Sequence, residues 1–101
     1  MQRIIMDLMI KTFRCRDTAA LFNSNMVRRW PQSLQRAALR KLVILDNATS
    51  VNDLRSPPGN RLEKLSGDRA DQWSVRINNQ WRLCFRFEDS DAYDVEIVDY
   101  H

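Results

Sequence analysis

The sequence lacks the patterns that mark several classes of protein. No apolar run approaches the roughly 18 residues that cross a bilayer, and Arg3 and Asp7 interrupt the apolar start, so no secretory signal is predicted. Only two Gly and three Pro occur among 101 residues, which argues against disorder and low complexity. We therefore expect one domain over residues 1–101, in the cytoplasm and without a membrane partner.

Metal ligands are also scarce. The one histidine, His101, and the two cysteines, Cys15 and Cys84, do not form a spaced zinc-binding set. A lone pair of cysteines without an export signal favours two reduced, buried thiols over a disulfide. We expect no cofactor, and any catalysis would be metal-independent or would use a carboxylate-bound ion.

Charge is distributed unevenly along the chain. Residues 1–45 carry nine Lys or Arg against two acids, whereas residues 46–101 carry seven against eleven. A basic front half is compatible with a polyanionic partner that meets one face of the protein. It is equally compatible with a solvated helix surface, so charge alone leaves both interpretations open.

The first half of the chain predicts a short strand followed by two helices. Residues 9–13 are β-prone and partly alternating, which makes residues 1–8 an N-terminal extension. Asp17 is predicted to cap a short helix over residues 18–22. A longer helix follows and ends near residue 48, with its apolar stripe on Leu34, Ala38, Leu42 and Leu45.

The start of that longer helix has two candidate signals. Pro31 suits a first helical turn, and Ser33 is an alternative cap. Trp30 precedes both, and it could fill the seam between helix and sheet.

The second half predicts an antiparallel sheet, and hence an α+β fold. Apolar and polar residues alternate in residues 73–77, 81–87 and 93–97, and residues 61–65 are a further candidate strand. Each segment has one apolar face, as expected for a strand that covers a core on one side. Trp73 and Trp81 belong to the apolar set, so we expect them to pack in the core.

The turn lengths determine which residues share a face, because a slip of one residue reverses a strand. A three-residue loop at 78–80 places Val75 opposite Leu83. Placing Glu88 opposite Ala92 sets Arg86 against Asp94 and Arg82 near Val98. One face, here called the arginine face, then carries Arg76, Arg82 and Arg86, with Asp99, Tyr100 and His101 at its edge.

These residue types suit cleavage of single-stranded RNA. Arginine forks bind phosphate, tyrosine stacks on a base, and histidine exchanges a proton near neutral pH. A base would free the ribose 2′-hydroxyl, and arginines would stabilise the phosphorane. The alternative is structural, since such arginines are often solvated or paired with acids such as Asp94 and Glu96, and chain ends often fray.

Several segments resemble the HigB/GraT toxins of the RelE/ParE superfamily. The resemblance extends from Met9 to His101 and is most specific in the last two of these segments: residues 9–13, 58–62, 65–68, 73–78, 80–85 and 93–101. It implies a RelE-like fold with two N-terminal helices packed on a curved antiparallel sheet. It also implies cleavage of mRNA in the ribosomal decoding site, and a helix-turn-helix, HigA-like antitoxin that represses the shared operon.

The resemblance also assigns roles to individual residues. Arg76 and Arg82 correspond to phosphate-binding arginines of the family, and Asp99, Tyr100 and His101 to its acid/base or orienting groups. Further candidates for RNA binding are Arg61, Lys64 and Arg86.

Two positions depart from the family pattern. Many members have His where this chain has Glu63, and Lys where it has Ser66. The YoeB-like branch of the superfamily pairs a Glu base with a histidine near the C-terminus, which Glu63 and His101 resemble. A weakened nuclease is the other interpretation.

Two rival functions follow from the same resemblance. A ParE-like gyrase poison shares the fold but acts on a protein–DNA complex. A catalytically weakened toxin would act as a binding or corepressor module.

Overall fold

The structure, a computed structural model, describes residues 9–100, so the predicted extension and His101 lie outside the described residues. Two helices, α1 (Arg16–Phe22) and α2 (Gln32–Asn47), precede four strands. The strands are β1 (Glu63–Lys64), β2 (Trp73–Arg76), β3 (Trp81–Glu88) and β4 (Asp91–Asp99). They form one antiparallel sheet in the order β1-β2-β3-β4, which confirms the α+β class.

The predicted first strand is reduced to two isolated parallel bridges on the free edge of β4. Ile10 pairs with Ala92 and Phe13 with Val95. Between the bridges, the hydroxyl of Thr12 accepts a hydrogen bond from the backbone N–H of Asp94 at 2.8 Å. Asp94 has a left-handed φ of 55°, so β4 bends there and the two segments cannot pair continuously.

The predicted cap of α1 is wrong. The helix begins at Arg16, with Cys15 at the cap position and no side-chain cap hydrogen bond. Asp17 lies inside the first turn, where its carboxylate accepts a hydrogen bond from Arg29 Nε. The arginine, twelve residues away, engages the carboxylate that local sequence had assigned to the cap.

The longer helix forms as predicted. It begins after Pro31, so Ser33 is not its cap, and Ala48 closes it. All four residues of the predicted stripe are buried in the core: Leu34, Ala38, Leu42 and Leu45. Burial of one such leucine contributes about 1.5–3 kcal/mol, which fixes α2 to the rest of the core.

A side chain of α2, Gln35, hydrogen-bonds to the backbone of the loop that precedes the helix. Gln35 is buried, accepts a hydrogen bond from Val27 N at 2.9 Å and donates to the carbonyls of Val27 and Trp30 at 2.8 Å. Trp30 is buried and meets Trp81 of the sheet edge-to-face, with ring centroids 6.4 Å apart. The expectation that Trp30 fills the helix–sheet seam is confirmed.

The predicted register of β2 against β3 is confirmed. Val75 pairs with Leu83, and Arg76 with Arg82. The three-residue loop is closed by Asn78, whose side-chain oxygen accepts hydrogen bonds from two backbone N–H groups at 2.9 Å.

The turn between β3 and β4 is one residue shorter than predicted. Glu88 pairs with Asp91, and both turn residues, Asp89 and Ser90, are left-handed with φ 49° and 71°. Those signs fit the type I′ turn, whose twist matches paired strands. A bulge between Cys84 and Arg86 then adds one residue to β4, which restores the predicted pairing of Arg82 with Val98.

Candidate functional site

Arg82 lies at the centre of the arginine face and is only 9% exposed. Its Nε donates to Ser74 Oγ at 2.8 Å, and its Nη2 donates to the carbonyl of Arg61 at 2.6 Å. Glu63 Oε1 is 3.7 Å from Nη2, and the ring centroid of Tyr100 is 5.8 Å from the guanidinium carbon. Burying a charged group is costly without such partners. The site therefore holds one well-satisfied arginine with a carboxylate and an aromatic ring beside it.

The segment before β1 shapes one wall of the site. Arg61 has φ 44° and ψ 58° and follows the 3-10 turn Pro58–Asn60. Asn60 is fully buried and donates to the carbonyls of Leu54 and Ser56 at 3.1 and 3.2 Å. The predicted RNA-binding residue Arg61 thus has an exposed side chain, while its main-chain carbonyl faces the central arginine.

Helix α2 contributes one cation to this wall, and sequence reasoning did not identify it. Lys41 Nζ donates to the side-chain oxygen of Asn60. Burial, together with the charges of Arg40 and Arg76, lowers the pKa of Lys41. A lysine of α2 and an arginine of β2 are therefore close enough beside the turn at Asn60 for their charges to interact.

The end of β4 divides between the two faces of the sheet. Tyr100 N donates to the carbonyl of Gln80 at 2.6 Å, and its ring lies on the arginine face. Asp99 pairs with Trp81, which belongs to the core side, and its carboxylate accepts a hydrogen bond from Gln80 Nε2 at 3.2 Å. The structure brings Tyr100 to the central arginine, whereas Asp99 lies at a register position of the core side of the sheet. His101 lies outside the described residues.

Arg76 and Lys64, two of the predicted RNA-binding residues, lie on β2 and β1. Arg76 pairs with Arg82 across the strands, and its Nη2 donates to the side-chain oxygen of Asn79. Lys64 pairs with Trp73 and places its ammonium 5.0 Å from that ring centroid. Arg76 therefore adjoins the site, whereas Lys64 pairs with a residue of the apolar set, and the structure does not bring it to the central arginine.

Arg86 has structural partners at the far end of β3. It contacts Asp94 at 3.2 Å and Glu88 at 3.1 Å, and its guanidinium carbon lies 4.9 Å from the ring of Tyr93. The hydrogen bond to Asp94 raises the pKa of Arg86. The predicted pairing of Arg86 with Asp94 across the strands is wrong, because the shorter turn pairs Arg86 with Tyr93, although the side chains of Arg86 and Asp94 still form an ion pair. The structure does not bring Arg86 to the central cluster.

Glu96 belongs to a second cluster of charged side chains on the sheet. Arg69 Nη1 donates to Glu96 at 3.0 Å and to Gln72 at 2.8 Å. Arg14 Nε is 3.9 Å from the same carboxylate. The alternative in which Glu96 neutralises the arginines of the site therefore fails, because Glu96 contacts Arg69 and Arg14.

The two cysteines are unpaired. Cys84 is buried, and burial raises the pKa of its thiol to about 11, so the thiol is protonated near neutral pH. Cys15 is only half-buried, contrary to the expectation for both thiols.

Ser74 is the partner of Arg82 that sequence reasoning missed. A signal was present, since Ser74 lies two residues before Arg76 and so shares the arginine face. Polar residues at such positions are ordinarily solvated, and only the structure shows that Ser74 is fully buried.

Within residues 9–100, no group of three or more His, Cys, Asp or Glu side chains could hold a metal ion. In the same part of the chain, neither helix is long and apolar enough to cross a membrane. The cluster offers phosphate binding through arginine, proton transfer through Glu63 and base stacking through Tyr100.

Comparison with known proteins points to one family. A family model described as "RelE-like toxin of type II toxin-antitoxin system HigB" matches residues 11–101. The chain is 48% identical over 62 residues to Toxin HigB-1 of Vibrio cholerae, covering 61% of this chain and 65% of that protein. It is 31% identical over 93 residues to Endoribonuclease HigB of Proteus vulgaris, covering 92% of this chain and 100% of that protein.

A third relative is an uncharacterized protein of Haemophilus influenzae, 38% identical over 62 residues, or 61% of each chain. The match thus spans just under two thirds of the Vibrio and Haemophilus relatives and the whole of the Proteus one.

Proposed function

The chain belongs to the HigB-like family of RelE-like toxins, and from that membership we propose that it is the toxin of a type II toxin–antitoxin system. Its activity is endonucleolytic cleavage of mRNA on the ribosome, which stops translation. A HigA-like antitoxin with a helix-turn-helix domain neutralises it and binds the operator DNA. The name of the Proteus relative, Endoribonuclease HigB, supports the choice of reaction.

One observation supports the chemistry most strongly: Glu63 and Tyr100 both lie beside the buried Arg82. In the proposed step, Glu63 removes the proton of the ribose 2′-hydroxyl, and the freed oxygen attacks the adjacent phosphorus. The bond from phosphorus to the 5′-oxygen breaks, leaving a 2′,3′-cyclic phosphate. Arg82 stabilises the charge on the phosphorane, and Tyr100 stacks on a base.

The proposal assigns the remaining proton to His101, which would protonate the leaving 5′-oxygen as general acid. Histidine suits this role because it titrates near neutral pH. Asp99 would orient that end of the chain, and Arg76 would contact a neighbouring phosphate.

We expect the activity to depend on the ribosome because the site has few groups that could align an RNA strand. A few polar groups at the edge of an open sheet do not enclose an RNA strand. Positioning of reactants can contribute about 7–11 kcal/mol to catalysis. We propose that the decoding centre supplies that alignment.

A weakened toxin that acts as a binding module is the second candidate, because Glu63 and Ser66 replace the histidine and lysine common in the family. Regulated expression in cells separates the candidates. Rapid loss of translation with intact DNA supports the ribonuclease. Absence of a growth defect supports the module, and induction of DNA damage signalling supports a ParE-like gyrase poison.

The proposal also includes the finer features that the family implies. Residues 1–101 would form one toxin domain in the cytoplasm, with residues 1–8 as an extension and the helices packed on a curved sheet. Proteolysis of the intact protein, followed by mass spectrometry, would test the domain limits.

A further inference from the structure

We propose that Ser74 and the main chain of Arg61 are positioning groups that aim the guanidinium of Arg82 at the RNA phosphate. The inference rests on the proposed function, since it concerns how the arginine of that site is held. Neither group needs to touch RNA. Each acts through Arg82, and each is tied to it by a hydrogen bond shorter than 3.0 Å.

Ser74 fixes one edge of the arginine fork. It is fully buried on β2, and its hydroxyl accepts from Nε at 2.8 Å, while its carbonyl lies 3.4 Å from Nη2. A guanidinium has five N–H groups in a rigid plane. Nε and Nη2 both donate to groups of the protein, and no residue in the described range 9–100 accepts from Nη1, so Nη1 is the nitrogen that suits a phosphate.

Arg61 supplies the second anchor through its backbone. Its carbonyl accepts from Nη2 at 2.6 Å, and this orientation depends on the left-handed φ of 44°. A non-glycine residue rarely adopts that conformation, and β-branched residues adopt it least. Buried Asn60 holds the preceding turn in place through two carbonyls. The conformation of Arg61, more than its charge, therefore matters to the site.

The first test compares single-turnover cleavage of mRNA on programmed ribosomes by wild type, Ser74→Ala and Ser74→Thr. Misplacement of a catalytic group can cost about 10²-fold in rate, so we expect that loss in the maximal single-turnover rate constant of Ser74→Ala, with a smaller change in the concentration that gives half of this rate. Ser74→Thr keeps the hydroxyl and should recover most of the rate. Thr18→Val is the matched control, because it removes another buried hydroxyl, the acceptor for Ile97 N at 3.1 Å.

A double-mutant cycle separates positioning from mere stability. In the Arg82→Ala background, Ser74→Ala should cause no further loss of rate, since the group it positions is gone. A loss of equal size in both backgrounds would overturn the role of Ser74. So would a rate for Ser74→Ala equal to that of wild type and Thr18→Val.

Arg61 requires a pair of variants that differ in backbone preference. Arg61→Asn and Arg61→Val both remove the charge, but only Asn tolerates the left-handed conformation well. We expect Arg61→Val to cleave at least about 10-fold more slowly than Arg61→Asn, on the scale of such misplacement. Equal cleavage rates in the two variants would show that the backbone conformation of residue 61 does not affect catalysis, and would overturn the positioning role of Arg61.

If Ser74→Thr or Arg61→Val fails to fold by circular dichroism, the NMR signal of Arg82 Nε–H decides the matter in the soluble variants. The proposal predicts slow solvent exchange of this proton in wild type and fast exchange in Ser74→Ala. Equal exchange would contradict it. Wild-type protein that cuts no mRNA on ribosomes, while Arg82 Nε–H remains protected, would instead contradict the proposed function.

Discussion

Glu63 Oε1 lies 3.7 Å from Arg82 Nη2. Pairing of Glu63 with Ser74 brings the carboxylate to this position, even though β1 is only two residues long. The carboxylate of Glu63 thus lies within ion-pair distance of the central arginine. Among residues 9–100, this position makes Glu63 the carboxylate nearest to Arg82, and it is the base in the proposed reaction.

We expect Glu63→Gln to reduce single-turnover cleavage by about 10²-fold or more, the usual scale for loss of a proton-transfer group. Folding should persist, because the side chain is 58% exposed. Glu63→His should also lose activity if Glu63 is the working base. Glu88→Gln is the control, since Glu88 is another exposed partner of an arginine. Higher activity in Glu63→His would instead identify Glu63 as a weakened site.

The arginines of β3 should differ in their importance. Arg82→Ala removes the buried guanidinium at the centre, and loss of one charge-stabilising donor can cost about 10²–10³ in rate. Arg86→Ala should have a milder effect, because Arg86 contacts Asp94 and Glu88 at the far end of the strand. Cleavage rates and thermal unfolding of both variants check this. A larger catalytic loss in Arg86→Ala, at unchanged stability, would show that the site is centred elsewhere.

The turn between β3 and β4 offers a test of the fold. Ser90 has φ 71°, a conformation that costs a non-glycine residue about 1–2 kcal/mol in the folded state. A glycine avoids this cost, but its greater conformational freedom in the unfolded state offsets about 0.5–1 kcal/mol of the gain. Ser90→Gly should therefore raise the free energy of unfolding in urea by about 0.5–1 kcal/mol. Ser50→Gly should lower it, because Ser50 has an ordinary φ of −149°. Equal changes in the two variants would contradict the assigned turn.

Much of this arrangement could be predicted from the sequence. The alternation of apolar residues gave the faces of β2 and β3, and the requirement that their apolar residues share one face gave their register. The pairing of Arg82 with Val98 was also correct, but only because two errors cancelled. The turn at Asp89 is one residue shorter than predicted, and the bulge near Arg86 adds that residue back.

The remaining features depend on contacts between residues distant in sequence. No local signal shows that Arg29 engages the carboxylate of Asp17, so the cap of α1 was misassigned. Nor does sequence show that Arg61 is left-handed, since the position is not a glycine. The burial of Ser74 follows from the approach of Arg82, which periodicity alone does not reveal.

The central claim is that this site cuts mRNA on the ribosome. The direct measurement is primer extension on a defined mRNA incubated with purified wild-type protein, with and without translating ribosomes, and with Arg82→Ala as control. We predict cleavage at the codon in the decoding site when ribosomes are present, little cleavage of naked mRNA, and loss of both with Arg82→Ala. Equal cleavage of naked and ribosome-bound mRNA, or full cleavage by Arg82→Ala, would contradict the account.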